Sequence, residues 1–196
     1  MVVNAASPYR TLAELLEGAR SKPGVLTMGS VGPGSTFQLG FIKLIQTAGV
    51  DMTYVPYPGS APAVTDVLGE HVTSVMAGIA VVSGQIGAGK LRAIAAATAQ
   101  RISDLPDVPT FAEAGFKDIE IDNWFGVVAP AKTPKGALDE LGRWFVAALS
   151  APGVRERLVP QGLYPIGMCG DQFAALVRAR YDEYGRLVRA ANIKVQ

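Results

Sequence analysis

The stretch Gly29-Ser30-Val31-Gly32-Pro33-Gly34-Ser35-Thr36 decides how the chain is organised. The apolar run Val25–Met28 precedes it and a helical pattern over Phe37–Thr47 follows it, so the segment predicts a strand, a glycine-rich turn and a helix start. Glycine residues allow the backbone to turn sharply and to approach a ligand closely. Either Ser35 or Thr36 is expected to cap the helix, because the first N–H groups of a helix lack partners within it.

A turn of this kind suits an anion. Unpaired N–H groups and the positive end of the helix dipole favour a carboxylate or a phosphate, although a plain strand-to-helix turn that binds nothing fits the same pattern. A P-loop would place Lys directly after its last glycine, whereas Gly34 is followed by Ser35. The spacing of Gly29, Gly32 and Gly34 also departs from the dinucleotide-binding fingerprint. An anion smaller than a nucleotide, for instance a carboxylate, is therefore the better candidate ligand.

A second loop repeats this arrangement. The predicted strand Met52–Val55 runs into Pro56–Pro62, a segment rich in Pro and Gly, and Ser60 is expected to cap a helix over Ala61–Leu68. The two loops would lie at the carboxyl ends of neighbouring strands, where open α/β sheets bind their ligands. Two helix starts at one sheet edge strengthen the prediction of an anion site.

The rest of the chain alternates strand and helix patterns, which predicts an α/β fold with a mainly parallel sheet. Capping boxes at Thr11 and Thr110 predict two helix starts, the first over Thr11–Lys22. Further strands or strand-like segments are predicted at Val72–Met76, Leu91–Ala97, Trp124–Pro130 and Leu163–Ile166. Further helices are predicted at Ile79–Gly87, from Thr133-Pro134 with Thr133 as the cap and Pro134 as the first helical residue, at Val154–Leu158 and at Asp171–Ala191. The helix after Pro134 is expected to bury an apolar stripe formed by Leu138, Leu141, Phe145 and Leu149.

Composition excludes several classes of protein. The chain has 196 residues, of which 49% are hydrophobic and 18% charged, which is typical of a globular protein with a large core. The net charge is +1 without a basic block, which argues against nucleic acid as a partner. The sequence contains no apolar run of about 18 residues, as a membrane helix requires. His71 is the only histidine and Cys169 the only cysteine, so we expect no catalytic triad, no metal or cofactor, and no internal disulfide.

A series of motifs extends over nearly all of the chain. The most specific are Val55-Pro56-Tyr57-Pro58-Gly59-Ser60-Ala61-Pro62 and Leu105-Pro106-Asp107-Val108-Pro109-Thr110, accompanied by Thr11-Leu12-Ala13-Glu14-Leu15, Gly32-Pro33-Gly34-Ser35 and Trp124-Phe125-Gly126. Their order resembles the Bug (TctC-like) solute-binding receptors of tripartite tricarboxylate transporters. The resemblance implies a periplasmic-binding-protein-like fold of type II, in which two α/β lobes close on a small carboxylate. It also implies a non-enzymatic, periplasmic protein that works with membrane transporter subunits.

The resemblance also implies which residues bind the ligand. Most belong to the two loops, and Trp124 is expected to wall the cleft. The implied ligand-binding residues are Gly34, Ser35, Thr36 and Gln38 in the first loop, Tyr57, Gly59, Ser60 and Ala61 in the second, and Trp124. Gln38 stands where many members of the family carry His, so it keeps hydrogen-bonding capacity but does not titrate.

The resemblance predicts a middle lobe over residues 5–123, with residues 124–196 forming the returning part of the first lobe. Members of the family usually begin with a signal peptide and the opening segment of the first lobe, and Met1–Asn4 has neither a basic region nor a long apolar core. We therefore expect a truncated receptor with a complete middle lobe and an incomplete second lobe. An incomplete sheet exposes strand edges and apolar faces, which favours a homodimer.

Two other functions stay open. A small α/β enzyme acting on an acidic substrate would need a general base, for which the sequence offers only scattered carboxylates. A remnant lobe would dimerise through its sheet and bind no ligand tightly.

Overall fold

A computed structural model describes residues 1–117, 119–121, 124–159 and 163–190, the side chain of residue 190 excepted. Contacts divide the chain into two compact units. The first comprises Met1–Asn123 and the segment from Leu187 onward, and the second comprises Trp124–Arg186. The assignment of residues 5–123 and 124–196 to the lobes of a two-lobed receptor stays a prediction.

The described residues form alternating strands and helices, which confirms the α/β fold. The elements of the first unit are β1 (Val2–Asn4), α1 (Leu12–Ser21), β2 (Thr27–Val31), α2 (Thr36–Ala48), β3 (Thr53–Tyr57), α3 (Ser60–Leu68), β4 (Ser74–Val75), α4 (Ile79–Gly87) and β5 (Leu91–Ala93). They are followed by α5 (Lys135–Leu149), α6 (Val154–Leu158) and α7 (Gly170–Ala190), and α7 ends at the limit of the described residues. None of the described helices combines the length and apolarity needed to cross a membrane.

The five strands form one sheet in the order β3-β2-β4-β1-β5. Strand β2 is parallel to β3 and β4, whereas β1 is antiparallel to β4 and β5. The sheet is therefore mixed and not mainly parallel as predicted, because it contains the antiparallel strand β1, which the sequence analysis did not predict. The predicted strand over Leu91–Ala97 forms only in part: β5 ends at Ala93, although the N–H of Ile94 still donates to the carbonyl of Met1, and Ala96 forms an isolated bridge with Thr110.

Helices cover both faces of this sheet. Consecutive side chains of a strand point to opposite faces, and accordingly Val2 and Val3 belong to different core clusters. Helices α1 and α2 pack on one face and α3 and α4 on the other. The core of the first face includes Val3, Leu15, Met28, Phe41 and Leu44, and that of the second includes Val2, Val67, Val75 and Val82.

Strand β2 lies further along the chain than predicted. The apolar run was expected to form the strand, but Val25 is 65% exposed, and the strand instead takes in Gly29 and Ser30. These two residues pair with Val55 and Pro56 of β3, and the buried Ser30 hydroxyl donates to the carbonyl of Met76 at 2.8 Å. Pairing between distant segments therefore overrode the local apolar pattern, and the glycine-rich turn shortens to Gly32–Ser35.

The predicted capping boxes form. At the start of α1, the Glu14 N–H donates to Oγ1 of Thr11 at 3.1 Å, while the Thr11 N–H donates to Oε2 of Glu14 at 3.2 Å. The same exchange occurs between Thr110 and Glu113. The second box begins only a single turn and not a helix, since Gly115 follows with a φ of +98° and ends it.

Arg101 holds this turn to the preceding loop. Its Nε lies 2.9 Å from both carboxylate oxygens of Glu113, and its Nη1 donates to the carbonyl of Pro106 at 2.8 Å. The hydrogen bond from Arg101, followed by that from the Thr110 backbone, lowers the pKa of Glu113. The Leu105–Thr110 motif therefore lies inside a loop closed by one arginine.

The second unit differs from its prediction. Neither Trp124–Pro130 nor Leu163–Ile166 forms a strand, and α5 has its N-cap at Pro134 instead of Thr133. No residue that the structure describes between Trp124 and Arg186 is buried. The apolar stripe of α5 is exposed or half-buried, with Phe145 at 45%. Full burial needs an extensive facing apolar surface, which the described part of this unit does not provide.

Candidate functional site

The two predicted ligand loops begin on neighbouring strands. In the parallel register of β2 and β3, Val31 pairs with Tyr57, the last residue of each strand. The next N–H, from Gly32, donates to the carbonyl of Tyr57 at 2.9 Å. The N-termini of α2 and α3 therefore follow adjacent strand ends at one edge of the sheet, as expected for an anion-binding site in an open α/β fold.

A third helix start lies beside them. Strand β4 is parallel to β2 on its other side, and the N–H of Met76 donates to the carbonyl of Gly29 at 3.1 Å. Helix α4 then begins after Gly78, which has no side-chain cap. The sequence analysis did not include Gly78 in the site because Ala77-Gly78 carries no polar side chain. Gly78 could have been found from its place between a predicted strand and a predicted helix, because the start of a helix offers backbone N–H groups whatever its side chains.

The first loop is closed by its own hydrogen bonds. The Ser35 hydroxyl caps α2 by accepting from the Gln38 N–H at 3.2 Å, and it donates to the carbonyl of Val31 at 2.8 Å. The Gly34 N–H donates to Oε1 of Gln38 at 2.7 Å. Ser35 and Gln38 thus act as a variant of the capping box, which the spacing of Ser and Gln could have revealed. The bonded atoms of both side chains shape the loop, and ligand contact by Gly34, Ser35, Thr36 and Gln38 stays a prediction.

The second loop is open in comparison. The prediction that Ser60 caps α3 was wrong, because Gly59 is the N-cap, with a φ of −172°, and Ser60 is the first helical residue. No side chain caps this helix. Among the residues that the structure describes, the half-buried Ser60 hydroxyl has no hydrogen-bond partner, and Ala61 is exposed. The start of α3 therefore retains N–H groups and a hydroxyl that an anion could bind.

Tyr57 is held by α3. Its hydroxyl donates to Oδ2 of Asp66 at 2.6 Å. Desolvation, then the hydrogen bond to the Asp66 carboxylate and its charge, raise the pKa of Tyr57 to about 12. A Cβ added at Gly29 would lie 2.9 Å from Cε2 of Tyr57, so glycine is needed there to admit the ring. Tyr57 therefore supports the loop through its contacts with α3 and β2, and its contact with a ligand stays a prediction.

Trp124 lies in the second unit. Its ring meets that of Phe173 edge-on, with centroids 5.3 Å apart and an interplanar angle of 87°. The Phe173 ring also covers Gly126, where an added Cβ would lie only 2.4 Å from Cζ of Phe173. The Trp124 side chain is 37% exposed, so packing leaves part of it accessible. Its role as a wall of the ligand site stays a prediction.

The donors at the sheet edge suit an anion better than a metal ion. The described parts of the first and second loops offer N–H groups and hydroxyls, which bind oxyanions. Within the ranges that the structure describes, no group of three or more His, Cys, Asp or Glu residues could hold a metal ion. His71 and Cys169 are both exposed. The site is therefore equipped for binding a small anion through its carboxylate or phosphate oxygens.

Comparison with known proteins shows one family. The model of the tripartite tricarboxylate transporter family receptor matches residues 1–193. A relative from Pseudomonas sp. (strain P51), the UPF0065 protein in the tcbD-tcbE intergenic region, is 33% identical over 189 residues, which are 96% of this chain and 56% of the relative. The chain thus spans about half the length of this curated relative.

Solved structures show the same fold. A protein described as a periplasmic transporter is 35% identical and superimposes with a TM-score of 0.85, covering 100% of this chain and 65% of its own. The structure of R. palustris Rpa4515 with adipate is 30% identical and has a TM-score of 0.86, covering 98% of this chain and 64% of its own. The periplasmic-binding-protein-like fold is therefore confirmed.

Proposed function

The chain belongs to the tripartite tricarboxylate transporter family of receptors, and we propose that it binds a small carboxylate as an extracytoplasmic solute-binding protein. One observation carries the proposal most directly. The hydrogen bond from Gly32 to Tyr57 brings two helix starts to one sheet edge, where the start of α3 has no side-chain cap. A carboxylate at this edge would accept backbone N–H groups and the hydroxyl of Ser60, and the helix dipoles would favour its charge.

A dicarboxylate is the ligand class that the comparisons favour, because the similar protein Rpa4515 was solved with adipate. The site residues proposed for this chain are Gly34, Ser35, Thr36, Gln38, Tyr57, Gly59, Ser60, Ala61 and Trp124. Binding needs no general acid or base, so the proposed function is non-catalytic. Ligand-driven closure follows if the closed state binds the carboxylate more tightly than the open state.

We also propose that the protein acts in the periplasm and delivers its ligand to membrane subunits of a transporter. The description of the family as a transporter receptor supports the partnership. A similar structure is described as a periplasmic transporter, which supports the location. Both properties are proposed for the whole protein, since this chain spans 65% of that structure and 56% of the Pseudomonas relative.

Calorimetry and thermal unfolding test the ligand proposal. The panel contains adipate, succinate, citrate and benzoate, with adipamide as the matched control because it keeps the carbon chain of adipate and lacks its charges. We expect at least one carboxylate to raise the unfolding temperature and release or absorb heat on titration, while adipamide does neither. Silence across the panel, or equal effects of adipate and adipamide, would overturn the proposal.

A second candidate property is self-association, and the second unit supplies the observation that favours it. No described residue from Trp124 to Arg186 is buried, and Phe125 and Tyr181 are 82% and 77% exposed. Apolar patches of this kind are uncommon on monomers. Sedimentation velocity over a hundredfold range of concentration tests it. A dimer that dissociates on dilution supports self-association, and a monomer at every concentration contradicts it.

A further inference from the structure

We propose that Tyr54 is a positioning residue of the first ligand loop, holding Gly32–Ser35 in its binding geometry through the carbonyl of Val31. This inference rests on the proposed function, because it concerns how that site is kept in place. Tyr54 is not among the residues that the sequence analysis placed in the site. It belongs to β3, below the loop, and pairs in register with Met28 of β2.

The Val31 carbonyl is the point at which the loop is fastened. It accepts one hydrogen bond from the Tyr54 hydroxyl and a second from the Ser35 hydroxyl, the latter at 2.8 Å. The carbonyl of Gly32 lies 3.4 Å from the same Tyr54 hydroxyl. A carbonyl oxygen has two lone pairs, so both donors satisfy Val31 fully. The carbonyls of Val31, Gly32 and Ser35 are all bonded inside the protein, so these three acceptors are not left unpaired near a bound carboxylate.

Core packing fixes the position of the Tyr54 ring. Its ring packs against Phe41 of α2, with centroids 6.0 Å apart, and both belong to the core region between the sheet and α1 and α2. Desolvation raises the pKa of Tyr54, and the neighbouring Ser35 hydroxyl opposes part of that effect. The phenol therefore stays protonated and able to donate at neutral pH. The ring is fixed by core packing and the hydroxyl bonds the loop, so Tyr54 connects the core to the turn.

Tyr54→Phe removes this hydroxyl and keeps the ring. Tyr9→Phe is the matched control, because Tyr9 packs against the same core cluster and its hydroxyl has no hydrogen-bond partner within the described residues. Amide hydrogen exchange of the ligand-free protein reports on the loop directly, since the N–H groups of Gly32, Gly34 and Gln38 are all bonded there. We expect Tyr54→Phe to speed their exchange about five- to tenfold, as for the loss of one hydrogen bond, while exchange in α1 stays unchanged.

A second measurement tests binding, with whichever carboxylate of the panel stabilises the wild-type chain. Tyr54→Phe is expected to weaken its binding about five- to tenfold, measured by calorimetry well below the unfolding temperature of both variants, whereas Tyr9→Phe leaves it unchanged. Unchanged loop exchange in Tyr54→Phe, equally faster exchange throughout the chain, or unaltered binding would each overturn the proposal. If the wild-type chain binds none of the carboxylates, the proposed function fails, and the exchange measurement still decides whether Tyr54 holds the loop.

Discussion

The Tyr57 hydroxyl donates a hydrogen bond of 2.6 Å to Oδ2 of Asp66, joining the end of β3 to α3, nine residues further along the chain. The bond spans the second ligand loop, since Gly59 and Ser60 lie between the two residues. Hydrogen bonds to charged groups are stronger than those between neutral groups. The last residue of β3 is therefore tied to the helix that follows the loop.

This pair predicts a loss of stability at high pH. Because the pKa of Tyr57 is raised from its ordinary value of 10 to about 12 in the folded state, the folded protein holds this proton more tightly than the unfolded chain. Its contribution to stability is complete below pH 10 and is lost as the pH rises towards 12. Asp66→Asn keeps an acceptor and removes the charge, so the pKa of Tyr57 should fall while burial keeps it above 10.

The measurement is the absorbance of tyrosinate against pH, with Tyr57→Phe subtracted to isolate this residue. A matching series of urea unfolding curves should show less alkaline destabilisation for Asp66→Asn than for the wild-type chain. Titration of Tyr57 at its ordinary pKa in the wild-type protein would contradict the assignment.

Ser35 and Ser60 should respond differently to replacement by Ala. Ser35→Ala removes the cap of α2 and its bond to Val31, so we expect a loss of about 1 kcal/mol in the free energy of unfolding. The Ser60 hydroxyl has no partner among the described residues, so Ser60→Ala should leave the free energy within about 0.5 kcal/mol of the wild type. Urea unfolding measures both values.

Ser60→Ala should instead weaken carboxylate binding about fivefold, the usual effect of losing one hydrogen bond. Calorimetry with the best carboxylate of the panel measures this change. Equal affinities of the wild type and Ser60→Ala would remove the Ser60 hydroxyl from the proposed site.

Gly29 and Gly32 should tolerate a methyl group to different extents. An added Cβ at Gly29 would lie 2.9 Å from the Tyr57 ring, whereas at Gly32 the nearest atom is a carbonyl oxygen at 3.7 Å. Gly29→Ala should therefore lower the free energy of unfolding by about 1–3 kcal/mol, as for other overpacked sites. Gly32→Ala should cost less than about 0.5 kcal/mol. Equal losses in urea unfolding would show that the ring moves aside without cost.

Glu70 occupies a backbone conformation that favours glycine. Its φ is +60°, and it follows α3 at the position where the N–H of His71 bonds back to the carbonyl of Asp66 at 2.9 Å, as in a Schellman motif. Glu70→Gly should raise the free energy of unfolding by about 1 kcal/mol, because the left-handed conformation is unfavourable for residues with a Cβ. Glu70→Ala is the control, since it removes the same side chain and keeps the Cβ. A similar gain for both variants in urea unfolding would mean that the charge, and not the backbone, is responsible.

Elements with local signals were predicted closely. Helix α4 has the predicted bounds, and α1 begins at the predicted capping box of Thr11 and Glu14. Helix periodicity and capping depend on residues three and four positions apart, so a single segment contains the information. The two glycine-rich loops were located for the same reason, because each combines breakers with a helix start, and their contact with a ligand stays a prediction.

Elements that depend on distant partners were not predicted correctly from the sequence. Strand β1 has only three residues and no alternating pattern of its own, and β2 shifted towards the glycines because β3 and β4 set its register. Trp124–Pro130 has the composition of a strand and no strand beside it in the described part of the chain. The apolar stripe of α5 was recognised as a stripe, but its burial depends on a facing surface that lies outside the helix.

The sequence by itself determined the family, the α/β class and the two glycine-rich loops at helix starts, because specific motifs and local capping chemistry encode them. The tertiary structure alone decided which hydroxyls are available. Ser35 is used within its loop and Ser60 is not, although both are serines after a glycine turn. That difference follows from whether Gly or Ser takes the extended backbone of the N-cap, and from the Tyr54 and Gln38 partners that the sheet and α2 bring to the first loop.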